Sequence, residues 1–177
     1  QLANGGYEIK PRIIDDKYAI QPIINAWREN FDYKKNNIDL TSSGLKKLYK
    51  NKENIKFLLD ALYGATNEPM GTSYRSRHVK SEYIYAGKTG TSQIRTIKEE
   101  QRLLDIKNKD LPYEQRDHAL FTSFAPYKNP RYAITIVIEH GGSGSSGAAP
   151  IAKSLVKKVL DRHKLREKYQ LDLFQEI

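Results

Sequence analysis

The sequence contains no cysteine among its 177 residues. Disulfide bonds, thiolate zinc sites and cysteine nucleophiles are therefore excluded. It also has no apolar run near the roughly 20 residues that a helix needs to cross a bilayer. The chain opens at Gln1 without a charged and then apolar leader. We therefore expect Gln1 to follow a cut, and a membrane anchor or targeting segment could have preceded it.

Acidic residues are outnumbered by basic ones, and the formal net charge is +9. Such an excess raises nucleic acid, an anionic membrane or an acidic polymer as a partner. The basic residues do not cluster, however, so a lysine-rich solvated surface explains them more simply. The four histidines, His78, His118, His140 and His163, are scattered without the spacing of metal ligands on a helix. We expect no metal site.

One stretch combines several groups that can bind a ligand or stabilise a reacting oxygen, namely Ala86-Gly87-Lys88-Thr89-Gly90-Thr91-Ser92-Gln93. It follows Tyr83-Ile84-Tyr85, whose aromatic and β-branched residues favour a strand. The sequence therefore predicts that the Lys-Thr-Gly-Thr tetrad stands at the end of a strand.

The four residues of the tetrad supply complementary groups. Lys88 is a cation at neutral pH, and the hydroxyls of Thr89 and Thr91 can bind a carboxylate. Gly90 has no side chain, so a substrate can lie against the backbone. The backbone N–H of Thr91 is then free to stabilise an oxygen that becomes negative during a reaction.

The tetrad is shared with penicillin-binding proteins and serine β-lactamases. Further matches precede and follow it: Ala3-Asn4-Gly5-Gly6, Pro11-Arg12, Gly71-Thr72-Ser73, Asp117-His118-Ala119, Phe124-Ala125-Pro126, Asn129-Pro130, Glu139-His140-Gly141-Gly142 and Gly147-Ala148-Ala149-Pro150. With these motifs the chain resembles the C-terminal part of the transpeptidase domain of class B penicillin-binding proteins, in the penicillin-binding protein 2 subgroup. The resemblance is strongest over residues 71–164.

The resemblance implies an α/β (α+β) fold, in which an antiparallel sheet is flanked by helices. The family sheet has five strands between helical layers, and the resemblance assigns its last three strands to this chain. Residues 1–177 would then be the C-terminal portion of the domain. The first two strands, most of the helical subdomain and the catalytic serine would lie upstream.

The implied activity is that of a peptidoglycan D,D-transpeptidase, which cross-links stem peptides through a serine acyl-enzyme that β-lactams also form. Lys88 would attract the terminal carboxylate and shape the field around the absent serine. Thr89 and Thr91 would hydrogen-bond the carboxylate, the Thr91 N–H would form half of the oxyanion hole, and Gly90 would give clearance. No cofactor, metal or nucleic acid is implied.

The resemblance also implies a location and partners for the complete protein. It would act at the periplasmic face of the bacterial inner membrane, anchored by an N-terminal segment absent here. Stem peptides, β-lactam antibiotics and proteins of the cell-elongation machinery would be its partners.

Two other functions stay open. A β-lactamase-type hydrolase shares the tetrad, although the matches at 117–126 and 139–142 favour a transpeptidase. A basic module for nucleic acid or an anionic surface would bind with an affinity that falls steeply with salt.

No convincing nucleophile accompanies the tetrad. Ser43-Gly44-Leu45-Lys46 and Ser154-Leu155-Val156-Lys157 match Ser-x-x-Lys, but neither lies far upstream of Lys88 as the family order requires. The Gly-x-Gly-x-x-Gly string at 142–147 is not followed by the second parallel strand of a dinucleotide site. Gly87-Lys88-Thr89 lacks the earlier glycine of a phosphate loop. We therefore predict that this segment alone is inactive.

Hydrophobic spacing predicts the helices. Residues 45–49 and 55–62 form two helices, the second capped at Gly64, and a frayed helical end stops at Asn4-Gly5-Gly6. A long helix starts at Pro150, with a further short helix in the tail 165–177. One face of the long helix would carry Ile151, Leu155, Val156 and Val159.

Two strands are predicted at 119–125 and 132–139, and the β-branched run 134–138 indicates a central strand covered on both faces. Asp117-His118 is interpreted as fixing the strand entry through side-chain hydrogen bonds. The glycine-rich stretch 141–147 reads as a flexible loop, and the polar stretch 94–116 as a mobile one. With its family neighbour missing, strand 132–139 would leave an edge open, and we expect the segment to self-associate there.

Overall fold

The computed structural model describes residues 1–8, 47–95 and 107–170. It divides the chain into two compact units, Gln1–Lys56 and Phe57–Ile177, and each is treated by itself below. The matched pair Pro11-Arg12 and the Ser43-Gly44-Leu45-Lys46 motif lie outside the described residues.

The first unit begins with a 3-10 turn, Leu2–Asn4, which ends at Gly5 in the left-handed conformation. This confirms the stop predicted at Asn4-Gly5-Gly6. The Tyr7 N–H donates to Asn4 Oδ1 at 3.0 Å, and Tyr7 forms an antiparallel bridge with Lys47. The helix predicted at 45–49 is wrong for its described part, because the N–H of Leu48 donates to the Gly6 carbonyl (2.9 Å) instead of to a helical turn.

Helix α1, Lys52–Asn67, is the second predicted helix. Asn51 Oδ1 accepts the Glu53 N–H at 2.9 Å and so satisfies a free donor at the helix start. The predicted end at Gly64 is wrong, since the helix continues to Asn67. The Asn67 amide donates to Tyr63 O (3.1 Å) and to Tyr85 O (2.9 Å), which stabilises the longer helix and ties its end to the following chain.

Three strands form an antiparallel sheet in the order β1-β2-β3. Their bounds are Ala86–Ser92 for β1, His118–Ala125 for β2 and Tyr132–Ile138 for β3. The predicted α+β class and the three successive strands are confirmed. The first strand begins later than predicted: Ser81–Tyr83 is a 3-10 turn, and β1 starts only at Ala86. The tetrad therefore lies within β1.

Helix α2, Ala149–Tyr169, packs on one face of the sheet. Its contact face repeats every three or four residues and is built from small residues at its start, where Ala149 and Ala152 are fully buried. The predicted face is wrong in part: Val156 is buried, but Ile151 is 42% exposed and Leu155 is 37% exposed. The helix presents its alanines to the sheet, so Ile151 and Leu155 lie on the outer side. The core comprises Tyr83, Tyr85, Ala119, Phe121, Ala125, Ile136, Ala148, Ala149, Ala152, Val156 and Leu160.

Polar contacts tie the far end of α2 to the turn Ser81–Tyr83 and to strand β3. The Tyr83 hydroxyl donates to Asp161. The Tyr132 hydroxyl forms a hydrogen bond with His163 Nδ1 at 2.7 Å. Burial lowers the pKa of His163, which favours the neutral ring in this position. The tail helix predicted from residue 165 belongs to α2 as far as Tyr169, and 171–177 lie outside the described residues.

Strand β3 alternates between covered and open side chains. Ile136 is buried, whereas Val137 is 54% exposed. The prediction of a strand covered on both faces is therefore wrong within the described ranges, where β3 is also an edge of the sheet. Its β-branched run reflects strand propensity and does not indicate burial on both sides.

The glycine-rich stretch predicted as a flexible loop is packed instead. Gly144–Ala148 forms a π-helical turn that leads directly into α2. A Cβ placed on Gly144 would stand 2.4 Å from Leu120 O and 2.5 Å from Gly90 O. The absence of a side chain at Gly144 therefore allows this turn to lie directly on the backbones of β1 and β2.

No helix within residues 1–8, 47–95 and 107–170 combines the length and apolarity that a bilayer span requires. The same ranges hold no group of three or more His, Asp or Glu side chains arranged for a metal ion.

We predict that Gly144→Ala destabilises the fold, because the new methyl group meets two backbone oxygens that belong to paired strands. Overpacking of this kind costs about 1–3 kcal/mol, which thermal denaturation would detect as a lower Tm. Ser146→Ala changes an exposed position of the same turn and serves as the control. Equal stability of Gly144→Ala and the control would contradict this packing.

Candidate active site

The tetrad occupies the open edge of the sheet. β1 pairs with β2, with Lys88 opposite Thr122 and Thr91 opposite Ala119. No strand in the described ranges pairs with the other side of β1. Backbone groups on that side therefore form no strand ladder within the described ranges.

The hydrogen bonds of helix α1 show which backbone groups face the open edge. Thr66 Oγ1 donates to Gly87 O at 3.3 Å, so the Gly87 carbonyl points away from β2. The N–H and C=O of one residue point to the same side of a strand, and successive residues alternate. Thr89 and Thr91 therefore direct their backbone groups outward, while Lys88 and Gly90 pair with β2. This is the orientation that the predicted role of the Thr91 N–H requires.

Lys88 folds along the edge toward Thr89. Its Nζ donates to Thr89 O at 2.9 Å and to Thr89 Oγ1 at 3.3 Å. The Lys88 side chain is exposed, so its charge remains accessible to an anion. The structure thus joins the predicted cation to the first predicted hydroxyl.

A third hydroxyl joins this group. Thr72 Oγ1 lies 3.1 Å from Thr89 Oγ1. Sequence reasoning placed Thr72 in a motif shared with the family but assigned it no role. Nothing in the spacing between Thr72 and Thr89 indicates that the two meet, since the contact depends on how the chain turns after α1.

That turn is fixed against α1. A Cβ on Gly71 would stand 2.4 Å from Gly64 O and 2.5 Å from Ala65 O, so only glycine fits there without a shift. Ser73 Oγ donates to Ala65 O at 2.9 Å, and its N–H donates to the same oxygen at 3.0 Å. Thr72 is therefore held between two residues that are anchored on the helix.

Gly90 is covered from one face and open on the other. Gly144 packs on its backbone from the side of α2. On the opposite face, apart from the two chain neighbours of Gly90, Leu120 Cβ is the one atom of the described residues within 4 Å of a Cβ placed on Gly90, at 3.3 Å. The clearance expected at Gly90 is consistent with this geometry, and its use by a substrate stays a prediction.

The strand entry beside the tetrad is held by side chains, as predicted. The Asp117 N–H donates to Asn108 Oδ1 at 2.9 Å, and Asn108 Nδ2 donates to Asp117 Oδ2 at 2.8 Å. The His140 N–H donates to His118 Nδ1 at 2.9 Å, and His118 is paired with Ser92 at the end of β1. These bonds order the described end of the stretch predicted to be mobile, while residues 96–106 lie outside the description.

The Ser-x-x-Lys string in α2 does not form a catalytic pair. The Ser154 hydroxyl donates to Pro150 O, and Lys157 Nζ contacts Asp161 Oδ2 at 2.5 Å. Each group therefore has a partner other than its neighbour in the string. This geometry agrees with the rejection of that motif.

Taken together, the edge offers a cation, hydroxyls and outward backbone groups along an extended strand. An extended peptide that ends in a carboxylate can add to such an edge as a further strand. Its carboxylate would meet Lys88 and the threonine hydroxyls.

Comparison with known proteins identifies relatives of the chain. The sequence profile of the family described as "Penicillin binding protein transpeptidase domain" matches residues 1–159. The peptidoglycan D,D-transpeptidase MrdA of Salmonella typhimurium (strain SL1344) is 43% identical over 101 residues, which cover 57% of this chain and 16% of the relative. MrdA of Haemophilus influenzae is 36% identical over 115 residues, covering 64% of this chain and 17% of the relative.

A solved structure is similar as well. The penicillin-binding protein PBP2 of Helicobacter pylori, in its complex with MreC, matches with a TM-score of 0.54 and 32% identity. The match covers 67% of this chain and 19% of that one. This chain therefore spans about a sixth to a fifth of the length of these relatives.

Proposed function

This chain belongs to the penicillin-binding protein transpeptidase domain family, and from that premise we propose that it forms the C-terminal portion of a peptidoglycan D,D-transpeptidase. The observation that supports this most directly is the open edge of β1, where Lys88 contacts Thr89 and the Thr91 backbone faces outward. The named relatives are D,D-transpeptidases. The chain matches only a small part of them, so the activity belongs to a longer protein.

In the proposed reaction, a serine outside these 177 residues attacks the penultimate D-Ala carbonyl of a stem peptide. D-Ala leaves, and the amine of a second stem peptide resolves the acyl-enzyme. Lys88 attracts the terminal carboxylate, which Thr89 and Thr91 hydrogen-bond. The Thr91 N–H stabilises the oxyanion together with a second donor near the serine.

The catalytic environment includes both a charged and a neutral contribution. The Lys88 ammonium acts over a distance, because Coulomb attraction falls off slowly with separation. The hydroxyls and the Thr91 N–H act only within hydrogen-bond distance, so they fix the orientation of the substrate. Strand β1 supplies the charge from Lys88 and the hydrogen-bonding groups from Thr89 and Thr91.

The proposed setting follows the same premise. The complete protein would act at the periplasmic face of the bacterial inner membrane, anchored by a segment outside this chain. Its ligands would be peptidoglycan stem peptides and β-lactam antibiotics. The Helicobacter pylori relative was solved with MreC, which supports partners in the cell-elongation machinery.

The test is covalent labelling by penicillin, followed by intact-protein mass spectrometry. We expect the full-length protein that contains this segment to gain one drug mass and the 177-residue chain to gain none.

Lys88→Ala should slow acylation on the order of a hundredfold, the usual effect of losing one preorganised electrostatic group. Lys128→Ala removes the same charge from the exposed turn between β2 and β3 and is the control.

Three results would change the assignment. Acylation of Lys88→Ala within threefold of the parent would remove Lys88 from the mechanism. Labelling of the 177-residue chain that disappears in Ser43→Ala would place the nucleophile inside it. Rapid release of the drug would identify a β-lactamase-type hydrolase in place of a transpeptidase.

We further propose that the isolated chain self-associates through strand 132–139. Among the described strands, β3 is an edge with β-branched, partly exposed residues. Such edges pair with other chains. Light scattering over a concentration series should show dimers that Val137→Lys disrupts. Val79→Lys, at a valine that is 84% exposed outside the sheet, is the control, and a strict monomer at high concentration would contradict the proposal.

A further inference from the structure

We infer that Thr72 is a positioning residue, which orients the Thr89 hydroxyl so that it donates to an anionic ligand. The inference rests on the proposed function and adds a residue to its carboxylate-binding group. It starts from the contact between Thr72 Oγ1 and Thr89 Oγ1 at 3.1 Å. Thr72 lies 17 positions before Thr89 in the chain.

The hydrogen-bonding capacity of Thr89 leaves two possible directions for the bond with Thr72. A threonine hydroxyl has one O–H donor and two acceptor lone pairs. An ammonium can only donate, so Lys88 Nζ occupies one lone pair of Thr89 Oγ1, at 3.3 Å. If Thr72 donates to the second lone pair, the one remaining capacity of Thr89 is to donate outward. A carboxylate requires such a donor.

The opposite direction, from Thr89 to Thr72, fits an anionic ligand less well. The single Thr89 proton would then be shared with Thr72 and would not be available to a ligand. Lys88 Nζ contacts both oxygens of Thr89, so an anion drawn to the ammonium arrives beside Thr89. A chain of donors from Thr72 through Thr89 to the carboxylate points every O–H dipole at the negative charge, and hydrogen bonds in such chains strengthen one another.

The position of Thr72 is fixed before any ligand arrives. Ser73 Oγ donates to Ala65 O and lies 3.3 Å from Thr66 Oγ1. Thr66 in turn donates to Gly87 O on β1. Helix α1 therefore anchors both the turn that carries Thr72 and the strand that carries Thr89. The hydroxyl pair needs little further ordering to bind an anion, which is the advantage of a preorganised site.

The experiment compares ligands that differ only in the carboxylate. In the full-length protein that contains this segment, acylation rates are measured with benzylpenicillin and with its methyl ester, which lacks the negative charge. We expect Thr72→Val to slow acylation by benzylpenicillin about three- to tenfold, the range of one hydrogen bond. The rate with the ester should change by less than about twofold. Thr72→Ser keeps the hydroxyl and should restore the parent rate.

Thr135→Val is the matched control. Its hydroxyl is exposed and forms an equivalent threonine pair with Thr122, at 3.3 Å, between β2 and β3. Thr135→Val removes the same type of hydrogen bond at a place away from the open edge. The acylation rates with both ligands should therefore equal those of the parent protein. Because Thr72 is itself exposed, Thr72→Val should keep the parent Tm.

The outcomes separate the inference from the function on which it rests. A parent protein that neither drug acylates would refute the proposed function, and with it the inference. If Thr72→Val slowed acylation by benzylpenicillin and by its methyl ester equally, Thr72 would have a structural role only. Unchanged rates with benzylpenicillin, or failure of Thr72→Ser to recover them, would overturn the inference while leaving the proposed function intact.

Discussion

The candidate site depends on β1, which pairs on one side only within the described residues. Pairing with β2 uses the backbone groups of Lys88 and Gly90, and the Thr66 bond to Gly87 O shows that the alternate groups face the other way. An edge strand is a hazard in most proteins because it can pair with another chain. In the proposed function, the same property would provide the backbone donors that an extended peptide needs, at the position where Lys88 carries its charge.

The remaining elements hold that edge in place from three directions. Helix α1 contacts its start through Thr66 and Asn67. The turn at Gly144 packs on the Gly90 backbone from behind, and α2 covers the buried face of the sheet. The bonds around Asp117 fix the entry to β2. A rigid scaffold of this kind limits the reorganisation that charge development in a reaction would otherwise require.

The sequence predicted β2, β3, the long helix and a strand that carries the tetrad, because each depends on local composition or on a short motif. It failed where packing decides. Glycines at 141–147 suggested flexibility, yet the Gly144 position is set by close approach to two strands. Ile151 and Leu155 suggested a buried face of the long helix, but Ala149 and Ala152 are the buried residues there. The Thr72 contact joins residues distant in sequence, and no periodicity encodes such a meeting.

Binding of the reacting ligand at the outward edge of β1 can be tested directly by a crystal structure of the full-length protein acylated by penicillin. We expect the acyl carbonyl oxygen to lie within about 3.1 Å of the Thr91 nitrogen and the drug carboxylate to contact Thr89 Oγ1. A drug bound away from this edge, or a carboxylate that contacts neither Thr89 nor Lys88, would contradict it.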